Sequence, residues 1–184
     1  MAHGVCPPWV GYLMLNPLRK LLEHPDRLFG RFVFEGGRVL EPGCGTGYFT
    51  LPLARMVGES GRVVAVDVQR AMLDITRRRA EKAGLSDRIE YRLAGEDGLN
   101  ALDLAGTIDL AAAMHMVHEV PDAGAFFRET SAALKPGGRL LMVEPRGHTS
   151  ESEMNRFLEL AGEAGLALDS RLGGVVGRGA VLVK

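Results

Sequence analysis

The chain has 184 residues, enough for one domain with its own hydrophobic core and too few for two of ordinary size. Its 22 basic and 23 acidic residues leave a formal net charge of -1, so it has no electrostatic hold on nucleic acid or an anionic membrane. Two cysteines, Cys6 and Cys44, are too few for a disulfide framework, and no apolar run reaches the roughly 18 residues of a membrane span. The N-terminus also lacks a basic stretch before an apolar one, and a reduced, cytoplasmic setting is expected.

The first stretch, residues 5–17, carries the only tryptophan, Trp9, close to Tyr12, and a helix is expected from Pro17. Short aliphatic runs at 38–40, 63–66, 88–91, 108–111 and 140–143 have the length of buried parallel strands. Between them, helical patterns cover 49–56, 71–83 with Gly84 as the stop, 123–134 stopped by Pro136-Gly137-Gly138, and 152–164 stopped by Gly165. Repeated strand–helix alternation predicts a doubly wound α/β sheet, because right-handed crossovers place helices on both faces. The last two runs, 167–172 and 180–183, are separated by glycines too closely for a crossover helix and should pair antiparallel. The expected architecture is a Rossmann-like, doubly wound, seven-stranded sheet, mostly parallel with an antiparallel final strand. One domain spans 1–184, with residues 1–30 as an N-terminal lid or helical segment and 36–184 as the catalytic core.

The most informative residues are Val39-Leu40-Glu41-Pro42-Gly43-Cys44-Gly45-Thr46-Gly47, a strand running through a glycine turn into a helix. Glycines at 43, 45 and 47 let the backbone turn tightly and approach a ligand that a Cβ would exclude. This segment resembles motif I of class I S-adenosylmethionine-dependent methyltransferases, and Asp67, ending the second strand, resembles their second acidic motif. The resemblance is closest to the group containing quinone-biosynthesis and arsenite methyltransferases, without the multiple cysteines expected of the latter. A dinucleotide is the rival ligand, but Tyr48 stands where its fingerprint requires the last glycine. Glu41, just before the turn, opposes a pyrophosphate and attracts the cationic amino-acid end of S-adenosylmethionine. Asp67 lies 20 residues past Gly47, where a carboxylate accepts ribose hydroxyls in either cofactor class.

The resemblance covers residues 36–145, including Lys135-Pro136-Gly137-Gly138 before the fifth strand. It implies a cofactor site of Glu41, Gly43, Cys44, Gly45, Gly47, Asp67, Val68, Gly95, Glu96 and Met114, from which S-adenosylhomocysteine would leave as product. The usual Gly-Asp-Ala after strand three is replaced by Ala94-Gly95-Glu96-Asp97, so either Glu96 or Asp97 reaches the adenine, with Glu96 preferred.

In an open α/β sheet the ligand sits beyond the carboxyl ends of the strands, at the switch between the first and fourth. That rule selects His115 and His118 after strand four, Glu144 and His148 after strand five, and Arg178 on the last strand. A histidine suits removal of a proton from a methyl acceptor, with His118 the first choice, His148 the second and Glu144 as orienter or alternative base. Trp9, Tyr12, His115 and Arg178 are expected to line the acceptor pocket, with residues 1–15 as a lid. Arg178 would favour an anionic acceptor. Ala113-Met114-His115-Met116 replaces the Asn/Asp-Pro-Pro-aromatic motif of base-amine methyltransferases, which points to a small-molecule acceptor and away from nucleic acid. His3 and Cys6 lack metal-ligand spacing, so no metal is expected. The expected assembly is a monomer or homodimer. The alternatives are a sensor that binds S-adenosylmethionine without turnover and an NAD(P)-binding reductase.

Overall fold

The computed structural model describes residues 23–95, 98–173 and 177–184. Seven strands, β1 (Arg38–Pro42), β2 (Arg62–Asp67), β3 (Ile89–Leu93), β4 (Ile108–Met114), β5 (Leu134–Pro145), β6 (Ala167–Gly173) and β7 (Gly177–Val183), form one sheet in the order β3-β2-β1-β4-β5-β7-β6. β7 alone runs antiparallel, inserted between β5 and β6. The order reverses between β1 and β4, which opens the crevice at their carboxyl ends.

Each strand alternates between two cores because successive side chains point to opposite faces. Leu40, Val64, Val66, Ala111, Ala113, Leu140, Met142, Ala180 and Leu182 share one core with Phe126, Phe127 and Ala133 of α4 (Ala123–Ala133) and Met154 and Ala161 of α5 (Glu151–Glu163). The intervening Val39, Val63, Ala65, Leu110, Ala112, Leu141, Val143 and Val181 face the other way. They meet Phe29 of α1 (Pro25–Phe29), Leu53 of α2 (Thr50–Met56) and Leu73 of α3 (Arg70–Lys82). Full burial of a side chain of this size contributes roughly 1.5–3 kcal/mol. The central strands are therefore closed to water on both faces, while the edge strand β6 stays largely exposed, and the crevice at the strand ends is the opening that the sheet order leaves for a ligand.

β5 is longer than the run at 140–143. Leu134 already pairs with Ile108, then Lys135 to Gly138 loop out before pairing resumes at Leu110↔Arg139. Gly137 takes φ +76 in that bulge. Of the N-terminal segment, α1 is described and buries Phe29 edge-on against Phe49 at 5.6 Å between ring centroids. The lid expected at 1–15, with Trp9 and Tyr12, lies outside the described residues, as do residues 17–22 of the helix expected from Pro17.

Candidate functional site

β1 ends in Glu41 and Pro42, and the chain then turns through Gly43, Gly45 and Gly47, all at positive φ. A Cβ on Gly43 would lie 2.9 Å from the Met116 side chain, so the turn and the loop after β4 approach as closely as backbone permits. At Gly45 the same construction meets nothing within 4 Å among the described residues. The turn therefore packs against protein at Gly43 and leaves open space over Gly45, a cradle in which a ligand can reach bare backbone.

Asp67, at the end of β2, closes the cradle from the neighbouring strand. Its Oδ2 accepts the Gly45 N–H at 2.8 Å and its Oδ1 the Gln69 N–H at 2.9 Å, which leaves each oxygen lone-pair capacity for a ribose hydroxyl. Burial raises its carboxyl above the usual range, while the N–H groups of Gln69, Gly45 and Val68 pull it back.

Glu41 is only 2% exposed, and its Oε2 is buried without a partner among the described residues. Burial pushes its carboxyl up to about 8, Thr50 lowers it and the Asp67 carboxylate raises it. An orphaned acidic oxygen beside the cradle is a receptor for a cation or hydrogen-bond donor. Cys44 turns its side chain into the core, where burial and then the carboxylates of Glu41 and Asp67 raise its thiol, so only its backbone faces a ligand. Val68 is exposed beside Asp67, and Met114 is buried at the end of β4. Gly95 is tied to the Gly98 carbonyl at 2.9 Å, and Glu96 lies outside the described residues. The set fits a nucleoside carrying a cationic tail.

Across the crevice, Glu144, the last residue but one of β5, is fully buried. Its Oε1 accepts the N–H groups of Val117 at 2.8 Å and Met116 at 3.2 Å, and its Oε2 holds His118 Nδ1. That hydrogen bond, against a smaller opposing effect of burial, raises His118 above its ordinary value. Glu119 Oε1 lies 3.8 Å from His118 Nε2, and the ring of exposed His148 is centred 5.4 Å from that of His118. The sheet thus brings His118, Glu144 and His148 together. Arg178 is held by Glu151 at 2.9 Å and by the Thr149 carbonyl at 2.7 Å, so its charge is already compensated at the start of α5.

His115 takes φ +59, with its N–H on the Val143 carbonyl at 2.7 Å. Its Nε2 meets the carboxylate of Glu23, a residue that no motif marked. Glu129 of α4 was also unmarked; it accepts the Leu99 N–H at 2.7 Å and so pins the loop that follows Gly95. Both contacts cross long stretches of sequence, and neither glutamate carries a local signature of its partner.

Residues 39–138 match the methyltransferase domain family, more than half of the chain, from β1 into the first residues of β5. The chain belongs to this family. A ubiquinone biosynthesis O-methyltransferase from Methylocella silvestris is 39% identical over 143 residues, 74% of this chain and 51% of that protein. A ubiquinone/menaquinone biosynthesis C-methyltransferase from Cronobacter sakazakii is 34% identical over 139 residues, 72% of this chain and 54% of its own length. The chain therefore spans about half the length of these curated relatives. A SAM-dependent methyltransferase from Aquifex aeolicus superposes with a TM-score of 0.85 at 24% identity, over 97% of this chain and 99% of that one. The architecture of this methyltransferase domain is thus the Rossmann-like one expected. Among the described residues, no helix is long and apolar enough to cross a membrane.

Proposed function

We propose that the chain is an S-adenosylmethionine-dependent methyltransferase acting on a small-molecule acceptor, with S-adenosylhomocysteine as the other product. The observation that carries this reading is the open cradle over Gly45, flanked by the Asp67 carboxylate and by the orphaned oxygen of buried Glu41. A dinucleotide's pyrophosphate would meet the Asp67 carboxylate and favour the protonated form of Glu41, whereas a cationic tail is attracted by Asp67 and draws Glu41 into its ionised form. Asp67 would hold the ribose, Gly95 would lie toward the adenine with Glu96 assigned to it from the sequence, and Val68 and Met114 would complete the nucleoside pocket. When bound, the cofactor supplies a methyl group on a positively charged sulfur, which needs an aligned nucleophile more than further activation.

The chain's own contribution is alignment and proton removal. Glu144 is itself fixed by two backbone N–H groups and holds His118 by Nδ1, leaving Nε2 to take the proton of an acceptor O–H, N–H or S–H. The same carboxylate stabilises the imidazolium that results. His148 is the second candidate base. His115, Arg178, Trp9 and Tyr12 are assigned to the acceptor side, the last two through the segment expected to act as the lid. The working form is a cytoplasmic monomer or homodimer.

The test is S-adenosylhomocysteine release with a set of thiols, phenols, quinols and carboxylates, followed by a pH profile with whichever is turned over. Because Glu144 raises His118, the neutral base accumulates only above the ordinary histidine value of 6.5, and turnover should rise with pH through that higher midpoint. Glu144→Gln should slow turnover and move the midpoint down. Cofactor binding without release for any acceptor would favour the sensor reading, and an unmoved midpoint would remove His118 as the base.

A further inference from the structure

Glu23 and His115 are 92 positions apart in sequence, and they meet where the chain leaves β4. The carboxylate of Glu23 bonds His115 Nε2, with only 6% and 10% of the two side chains exposed. The Glu23 carbonyl accepts from the Tyr48 hydroxyl at 3.1 Å, so this residue is also fixed to the end of the glycine turn. An ionised carboxylate can only accept, which places an imidazole hydrogen on Nε2, and in the neutral form of the ring Nδ1 then carries the lone pair. That Nδ1 is buried and has no partner among the described residues. Its backbone is held at φ +59, a conformation uncommon for a residue with a side chain, next to the Met116 that packs on Gly43. A buried acceptor fixed in this way awaits a hydrogen-bond donor.

We infer that Glu23 is a positioning residue, holding His115 so that its Nδ1 accepts a hydrogen bond from the methyl acceptor, and that the acceptor is an uncharged O–H or N–H compound. This rests on the methyltransferase reading above. A carboxylate or phosphate acceptor offers Nδ1 no hydrogen and would meet the carboxyl groups of Asp67, Glu119 and Glu144 at the same strand ends. The nearby cation, Arg178, is committed to Glu151 and the Thr149 carbonyl.

The experiment uses the full chain labelled with 15N-histidine, with His115→Gln to assign the ring, and reads the tautomer by two-bond proton–nitrogen correlation. The expected spectrum shows His115 with hydrogen on Nε2 alone. Phenol, added with S-adenosylhomocysteine present, should shift the Nδ1 signal, whereas anisole, which lacks the O–H, and benzoate should not. Glu23→Ala should mix the tautomers and weaken the phenol response at least tenfold, while Glu23→Gln, which keeps an accepting oxygen, should restore both. Hydrogen on Nδ1, an equal response to anisole, or no response to phenol would overturn the inference. The tautomer is read on the unliganded wild-type chain as well, so it decides the Glu23–His115 pair even if Glu23→Ala does not fold. Failure of S-adenosylhomocysteine to bind would instead count against the methyltransferase reading.

Discussion

Glu41 is buried beside Asp67, and its carboxyl is pushed up to about 8 by that burial, with Thr50 opposing and Asp67 adding. The unfolded chain releases this proton near 4.5, so between pH 4.5 and about 8 the folded chain holds a proton that the unfolded chain has lost. Stability must then fall as pH rises through that window, by up to about 1.4 kcal/mol for each pH unit. The melting temperature of the unliganded protein should decline across the window, and Glu41→Gln should flatten the decline. A cation placed beside Glu41 favours its ionised form, so cofactor binding below pH 8 should release a proton. Calorimetry in two buffers of different ionisation heat counts it, and an equal proton release by Glu41→Gln would exclude Glu41 as the source. The position of Glu41 was legible because the strand, turn and glycines around it form a local motif. Its protonation was not, since that depends on the burial that Thr50, Asp67 and the surrounding core create together. Glu23 was illegible for a related reason: its partner lies in another element.

Among the elements, the strands and helices followed from short-range rules. Gly84 and Gly165 stop their helices at φ +66 and +83, as their placement after the apolar patterns implied. The start of β5 was missed because Lys135 to Gly138 read as a turn before the strand, whereas Leu134 is already paired across the bulge. α5 begins at a capping box, with the Ser150 side chain accepting the Glu153 N–H and Glu153 reaching back to the Ser150 N–H at 2.7 Å. Its first turn also carries Glu151, which bonds Arg178 of β7 at 2.9 Å and Arg171 of β6 at 2.8 Å, bracing the antiparallel strands against the helix. Ser150→Ala should cost about 1 kcal/mol in chemical denaturation and leave S-adenosylhomocysteine affinity unchanged. A loss of affinity would show that α5 supports the cradle as well as the sheet edge.

At the scale of the whole molecule, the order β3-β2-β1-β4-β5-β7-β6 follows from right-handed crossovers and one closing hairpin, and it places the glycine turn, Asp67 and the His118–Glu144 pair at the same strand ends. That convergence was legible once the strands were counted. The acceptor side was less so, because its side chains come from separate elements and Trp9 and Tyr12 lie outside the described residues. The direct test is titration of the purified full chain with S-adenosylhomocysteine and with NADH, in the wild type and in Gly45→Ala. Gly45→Ala adds a methyl group to the open cradle at φ +54, at a folding cost of about 1–2 kcal/mol. Stoichiometric binding of S-adenosylhomocysteine by the wild type, no binding of NADH, and loss of binding in a still folded Gly45→Ala are expected. Binding of NADH in preference to S-adenosylhomocysteine, or unchanged S-adenosylhomocysteine affinity in Gly45→Ala, would contradict a sulfonium-nucleoside site at this turn.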